Sequence, residues 1–379
     1  MQSIKALVKK LEKEEQVKEA KQACNFVPKS IPSAVYYSDI IVDPDYPRAL
    51  CRYRDLRYLN SNSLIDSKLY YYNASLVDNG DTYRLFYRVG DEPKGCRDMI
   101  ATCLLKKNLD VVKSSNMYIK VHSNWLESAN TTKLKEMIPY MFNDGEHVED
   151  PRAVKFNDSW FVFYTDGLKI GVAKLDMKCE TLYTHYLSTP KVFKHGDSDG
   201  REKNWIPFVS NNNLYILYSD TPRSIIRCVD TGSDLQFVNF TKQDEDPIKY
   251  WNYGNIRGGA PPVIYDSNFL IWFFHSQKKY ETHIGSKTVY MMGAYVSQNT
   301  YPFTIVKYCK LPLLIGIASE ASTTRSLQDY VVFPCGAVKT VRGWKVSMGV
   351  NDVDIAFLDV EEKHFLWENV KEALTVLKF

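Results

Sequence analysis

The sequence predicts an all-β protein: a five-bladed β-propeller with an N-terminal helical extension. Three observations carry that expectation. From about residue 60 to 360 the chain consists of short apolar and aromatic runs punctuated by Asn, Asp, Gly and Pro, the signature of strands and turns. No helical pattern of about 10–15 residues alternates with them, which excludes a βαβ architecture. A fivefold internal repeat is also present, and radial repetition of small sheets is how a propeller is built.

The elements follow in chain order. Ile4, Leu7, Val8 and Leu11 recur at helical spacing among Lys and Glu, so residues 1–23 read as a helix. The character changes after Pro28, which divides the chain into a helical segment, 1–30, and a propeller catalytic domain, 31–379. Five windows then align without a gap: NASLVDNGDTYRLFY (73–87), DPRAVKFNDSWFVFY (150–164), NWIPFVSNNNLYILY (204–218), APPVIYDSNFLIWFF (260–274) and PCGAVKTVRGWKVSM (334–348). Each reads as a strand, a polar turn and a second aromatic-rich strand. A third strand follows as MIATCLL, KIGVAKLD, SIIRCVD, VYMMGAYV and DIAFLDV. The stretch after about residue 361 is expected to pack on the outside.

Composition limits the function. The hydrophobic fraction of 45% supports a real core, and Lys+Arg 48 against Asp+Glu 45 leaves +3, no electrostatic reason to expect a nucleic-acid partner. No apolar run reaches the roughly 20 residues of a membrane span, and the first residues lack a secretory signal. The eight cysteines are scattered without a C-x-x-C pair, so they are expected as free thiols in a reducing, cytoplasmic setting. No metal-ligand spacing, phosphate loop or serine-hydrolase elbow occurs, and no cofactor is implied. Aromatics at 13%, including 26 Tyr, suit sheet surfaces and sugar-binding clefts.

The repeat also predicts a site. In an antiparallel hairpin the start of the first strand and the end of the second lie at the same end, and the third strand begins there too. Around a propeller axis these ends converge on one rim. The converging set is Asn73 and Arg88, Asp150 and Lys169, Lys203 and Asn204, His275, and Asp352. Arg152 lies two residues along the Asp150 strand.

EDPR (149–152), KIGVA (169–173), EKNWIPF (202–208), GGAPPV followed by FFHS (258–276), and FPCG followed by MGVND (333–352) together resemble glycoside hydrolase family 130. That family comprises β-mannoside phosphorylases and related β-mannosyltransferases on five-bladed propellers. The resemblance covers roughly residues 65–360. It implies that Asp150 is the general acid, that Lys169, Lys203 and His275 hold phosphate, and that Asn73, Arg88, Arg152, Asn204 and Asp352 contact sugar. Lys169 stands where the phosphorylases usually have Arg, which keeps the charge but loses the bidentate fork.

The residues point the same way without the family. Hydrolases of families 43 and 32 open the first blade with Asp, whereas this chain has Asn73, and an amide cannot deprotonate water. Three ionisable donors facing one rim suit an oxyanion that is already nucleophilic. The expectation is therefore an inverting glycosyl transfer on β-linked hexosides, which the resemblance implies are mannosides, between a carbohydrate acceptor and phosphate or a sugar phosphate. Two alternatives stay open: a nucleotide-sugar-dependent glycosyltransferase and a non-catalytic carbohydrate-binding propeller.

Overall fold

The computed structural model describes residues 43, 45–64, 69–90, 98–121, 148–166, 169–187, 202–242, 251–282, 285–317 and 330–370. The helix expected near the N-terminus lies outside them. Among the described residues no helix is long and apolar enough to cross a membrane, and the structure is almost entirely β.

Five antiparallel sheets follow one another along the chain. Blade 1 is β2 (Tyr70–Asn79), β3 (Thr82–Gly90), β4 (Asp98–Lys106) and β5 (Val111–Tyr118). Blade 2 is β6 (Glu149–Phe156), β7 (Ser159–Thr165), β8 (Ile170–Leu175) and β9 (Thr181–Tyr186). Blade 3 is β10 (Ile206–Ser210), β11 (Asn213–Asp220), β12 (Arg223–Asp230) and β13 (Leu235–Lys242). Blade 4 contains β14 (Asn255–Ile264), β15 (Phe269–Thr282), β16 (Gly285–Gln298) and β17 (Ile305–Cys309), with short β18 (Leu314–Ile315) paired to β16. Blade 5 is β19 (Val332–Lys339), β20 (Trp344–Val350) and β21 (Asp354–Val360).

The first strands form the ring. β2 packs against β6, β6 against β10, β10 against β14, β14 against β19, and β19 back against β2. Two additions complete the outside. β1 (Leu56–Tyr58) pairs with β21, so residues from before blade 1 supply the outer strand of blade 5. β22 (Trp367–Asn369) pairs with β17, which places these residues, part of the stretch expected to pack on the outside, on the outer edge of blade 4.

The alternation of each strand explains the packing, because one face of every blade meets the next blade. Blades 1 and 2 bury Phe86, Ile100, Ala153 and Trp160 together. Blades 2 and 3 share Phe161, Phe163, Trp205 and Ile216, and blades 3 and 4 share Phe208, Leu217, Trp272 and Tyr295. Blades 4 and 5 join through Phe273, Met292, Val346 and Met348. Blades 5 and 1 join through Phe357, Ile355, Leu76 and Tyr87. Full burial of such side chains contributes roughly 1.5–3 kcal/mol each. The six described cysteines, Cys51, Cys103, Cys179, Cys228, Cys309 and Cys335, are buried and free, as expected.

Buried polar bonds fix the inner strands to one another. Ser347 on β20 donates to the Ala74 carbonyl at 2.6 Å and accepts from the Leu76 amide at 3.1 Å. Ser75 accepts from the Ala153 amide at 3.0 Å. These bonds align blades 5, 1 and 2 at the rim, and a buried donor or acceptor left without its partner costs about 1–3 kcal/mol.

Candidate active site at the propeller rim

The rim is shaped by a repeated irregularity. The hairpin register slips between Tyr72 and Ser75 in blade 1 and between Glu149 and Arg152 in blade 2. Inside these slips Asn73 and Asp150 take positive φ values of 50° and 54°, and Asn204, just before β10, has φ 63°. Asn and Asp tolerate this left-handed conformation better than other non-glycine residues. The same residue types therefore satisfy the backbone and bring polar side chains to the axis. In blade 4 the equivalent place is Gly258: Ala260 lies opposite Phe273, as Ser75 lies opposite Phe86 and Arg152 opposite Phe163. A Cβ on Gly258 would stand 2.0 Å from the Asn204 carbonyl oxygen, so close approach of blade 3 requires glycine there.

Blades 1, 2 and 5 build an acidic half. The Asn73 amide donates to Asp150 Oδ1 at 2.7 Å. Arg88 donates to Asp98 at 2.6 Å and to Glu149 at 2.8 Å, and its other terminal nitrogen lies 3.6 Å from Asp150 Oδ1. Tyr72 lies under the guanidinium, 4.7 Å from ring centroid to carbon, and donates to Asp98 at 3.1 Å. Burial works against the charge on Arg88, and Glu149 and Asp98 more than restore it. Asp352, in the left-handed turn between β20 and β21 (φ 51°), closes the group from blade 5. Burial pushes its carboxyl up to about 7; Asp150 and Glu149 push in the same direction, while Arg88 and a hydrogen bond with Asn73 oppose them. Gly349 makes room for this arrangement, since a Cβ there would stand 1.8 Å from Asn73 Oδ1.

Arg152 lies beneath that rim. It is 2% exposed, donates from Nε to the Gly259 carbonyl at 2.6 Å and from a terminal nitrogen to the Asp150 carbonyl at 3.0 Å, and sits 4.9 Å over the Phe333 ring. It thus ties blade 2 to blades 4 and 5 across the axis. Glu149, three residues before it on the same strand, pairs with Arg88.

Blades 3 and 4 build a basic half. His275 is 2% exposed, its ring 4.5 Å from Phe333 and 5.9 Å from Tyr290. Arg257 faces it across the β14–β15 ladder. Burial, then Arg152 and Arg257, depress the His275 pKa well below the usual histidine value; Lys203 adds to that, and a hydrogen bond with the Gly258 backbone opposes it. The imidazole is therefore neutral at pH 7 and can serve an anion only as a hydrogen-bond donor. Lys203 is exposed beside it. Lys169 is also exposed, at the rim end of β8; its backbone N–H donates to Asp166 at 2.7 Å and its ammonium lies 6.0 Å from the Tyr186 ring centroid.

The fold thus joins Asn73, Arg88, Asp150 and Asp352 in one cluster, and sets Lys203 within electrostatic range of His275. Asn204 lines a cleft with Asp150, Arg152, Tyr164 and Trp205. Trp205 and Trp251 are core: Trp205 donates to Glu202 at 3.1 Å and Trp251 to Ser276 at 2.9 Å. Sequence reasoning missed Asp98, Tyr72, Arg257 and Tyr290. Only Arg257 left a signal, as the residue just before GGAPP and three before the displaced start of the fourth window.

Similarity to known proteins agrees with this architecture. No family model matches the chain. A Candida albicans protein, β-mannosyltransferase 3, is 36% identical over 78 residues, covering 21% of this chain and 14% of that protein. Among solved structures, a provisionally assigned glycoside hydrolase from Bacteroides ovatus superposes with a TM-score of 0.52 at 13% identity, covering 89% of this chain and 98% of that one. A structure from the family 130 mannoside phosphorylases, described with hydrolases that target β-1,2-mannosidic linkages in Candida mannan, superposes at 0.50 and 10% identity, covering 89% and 96%. At these identities the likeness establishes the fold: the five-bladed propeller expected from the sequence is shared with these structures.

Proposed function

We propose that this chain is an inverting glycosyl-transfer enzyme acting on β-linked mannosides, with phosphate or a sugar phosphate as the second substrate. The observation that carries the reading is the division of one rim into a carboxylate half containing Asp150 and a basic half containing Lys203 and His275. Asn73 at the blade 1 position is a neutral amide bonded to Asp150, which suits a reaction whose nucleophile needs no activation of water.

In phosphorolysis a phosphate oxygen attacks the anomeric carbon as the glycosidic C–O bond breaks. The proton from Asp150 goes to the leaving oxygen, either directly or through a substrate hydroxyl. In synthesis the same carboxylate removes the acceptor hydroxyl proton and phosphate departs. One displacement inverts the configuration. Asn73 and Arg88 fix Asp150 through Oδ1, which assigns proton exchange to its other oxygen. Lys203 and Lys169 supply positive charge to the anion and neutral His275 supplies a hydrogen bond, so phosphate is positioned rather than activated. Asn204 and Asp352 are proposed to meet sugar hydroxyls, and Arg88 and Arg152 to hold the residues that do.

The short similarity to a mannosyltransferase favours a second reading, transfer from a nucleotide sugar on the same rim. One assay separates them. Purified protein is incubated with mannose 1-phosphate, GDP-mannose and other donors against β-linked mannoside acceptors, with products read by mass. Phosphate-dependent release of a sugar 1-phosphate, or its reversal, supports the first reading. Turnover only with a nucleotide sugar supports the second, and sugar binding without turnover assigns a binding propeller.

A further inference from the structure

One rim position recurs from blade to blade, and in blade 4 it holds a cation that the proposed reaction leaves unused. Asn73, Asp150, Asn204 and Gly258 occupy the axial place in blades 1 to 4. The residues immediately before them are Tyr72, Glu149, Lys203 and Arg257. Glu149 shows what this position can reach, because its carboxylate crosses to Arg88 of the preceding blade at 2.8 Å. The same reach from Arg257 leads to blade 3, where Lys203 is its equivalent. Two contacts fix the neighbourhood. Arg257 lies directly opposite His275 in the β14–β15 ladder, which sets their Cβ atoms about 4.5–5.5 Å apart on one face. Gly258 lies so close to blade 3 that a Cβ would stand 2.0 Å from the Asn204 carbonyl oxygen, which brings the segments Lys203–Asn204 and Arg257–Gly258 side by side. Gly258 also puts no side chain where blades 1 and 2 put Asn73 and Asp150. His275 is 2% exposed and its Nδ1 has no hydrogen-bond partner within the protein, an orphaned polar atom of the kind that a ligand completes. Arg257 beside it is partly exposed.

Lys169 is placed differently. It precedes the third strand of blade 2, and its ammonium lies 6.0 Å from the ring of Tyr186 on β9, the outermost strand of that blade. Arg257 and His275 stand instead on the two innermost strands of blade 4. A lysine ammonium is a point charge, whereas a guanidinium is a planar fork that meets two phosphate oxygens at once. We propose that Arg257 is a direct ligand of the substrate's phosphoryl group and supplies the fork that Lys169 lacks, with Lys203 and His275 completing the site at the junction of blades 3 and 4. The fork has in effect moved from blade 2 to blade 4. This inference rests on the proposed function for the identity of the anion, and it names the residue that tells a phosphoryl group from a neutral one. Arg257 binds and orients, and no proton leaves its guanidinium at working pH. The depressed proton affinity of His275, to which Arg257 contributes, agrees with the two side chains being neighbours.

The test measures binding of inorganic phosphate to the full chain by isothermal titration calorimetry, beside steady-state kinetics. Arg257→Gln should weaken phosphate by about 10–100-fold. Arg257→Lys, which keeps the charge without the fork, should cost about three- to tenfold. Lys169→Ala removes a charge that acts through solvent and should cost about threefold or less. In turnover the loss in Arg257→Gln should fall on KM for phosphate, with KM for the mannoside changing by less than about twofold. A residue that only supports the fold would move both together. Phosphate affinity in folded Arg257→Gln within about threefold of wild type overturns the assignment, as does a larger loss in Lys169→Ala than in Arg257→Gln, or no phosphate binding to the wild type. Where the glutamine variant does not fold, Arg257→Lys decides, and an unchanged phosphate affinity there overturns it too. Phosphate-dependent turnover that survives Arg257→Gln unaltered would remove this ligand and leave the proposed reaction standing. Phosphate binding that is lost in Arg257→Gln, without phosphate-dependent turnover in the wild type, would uphold the ligand and defeat the reaction.

Discussion

The two halves of the rim handle charge in opposite ways. On blades 1, 2 and 5 the carboxyl groups of Asp98, Glu149, Asp150 and Asp352 crowd around Arg88, which is held charged by its neighbours. On blades 3 and 4, Lys203 and Arg257 stand near His275, whose imidazole is kept neutral by burial and by those same cations. Burial raises the proton affinity of a carboxyl in one half and lowers that of an imidazole in the other. A reaction that moves a proton at one oxygen and a negative phosphoryl group at another requires this separation, because a single mixed cluster would neutralise both functions.

Removing the carboxylate proposed to exchange the proton should break the comparison most severely. Asp150→Asn keeps the shape and should cost about 10²–10⁴-fold in turnover, with melting temperature and sugar binding close to wild type; a loss below tenfold would move the acid elsewhere. On the basic side Lys203→Ala should weaken a phosphorylated substrate by about one to two decades, since charge-assisted bonds are worth roughly 1.5–3 kcal/mol. Binding of the neutral acceptor, measured by calorimetry, should change much less. Equal losses for both would make Lys203 a support of the fold. Lys169→Arg sharpens the contrast with a smaller effect: the fork should hold phosphate use level or raise it by a few-fold.

The smallest expected effect is on stability. His275 has a depressed folded pKa, so between that value and the ordinary value near 6.5 the unfolded chain binds more protons than the folded one. Its contribution is fully present above about pH 6.5 and is lost as pH falls. His275→Phe should therefore flatten the decline in melting temperature between pH 7 and 5 by a few degrees, read by differential scanning calorimetry. An unchanged slope would remove the neutral histidine from the account.

Much of this was legible in the sequence for a simple reason: a blade hairpin is local. Strand, turn and aromatic strand fit within fifteen residues, and Asn73, Asp150 and Asn204 sit at the window start because that place demands both a left-handed backbone and a polar side chain. The first strand of blade 4 was read two residues out of step because its β14–β15 register carries two slips, between Arg257 and Ala260 and between Ala260 and Val263. The gapless alignment therefore began at Ala260 where the equivalent residue is Gly258. The ion pairs of Arg88 were hidden for a different reason. They join β3 to β4 and β6 through side-chain geometry that no periodicity encodes. β1 was invisible because three residues, Leu56–Tyr58, are too few to show alternation.

That short strand joins the two ends of the ring. Pairing of Leu56 with Leu358 joins residues roughly 300 positions apart, and closing so long a loop carries an entropic cost that local hairpins do not face. The blades can form one after another, but Asn73 and Asp352 become neighbours only when the last blade docks on the first. A chain arrested with four blades would have Asp150, Lys203 and His275 in place and still lack the fifth blade that carries Asp352. Completion of the rim is in this sense the last step, and the proposed turnover should appear in a refolding experiment after strand content and together with closure of the circle.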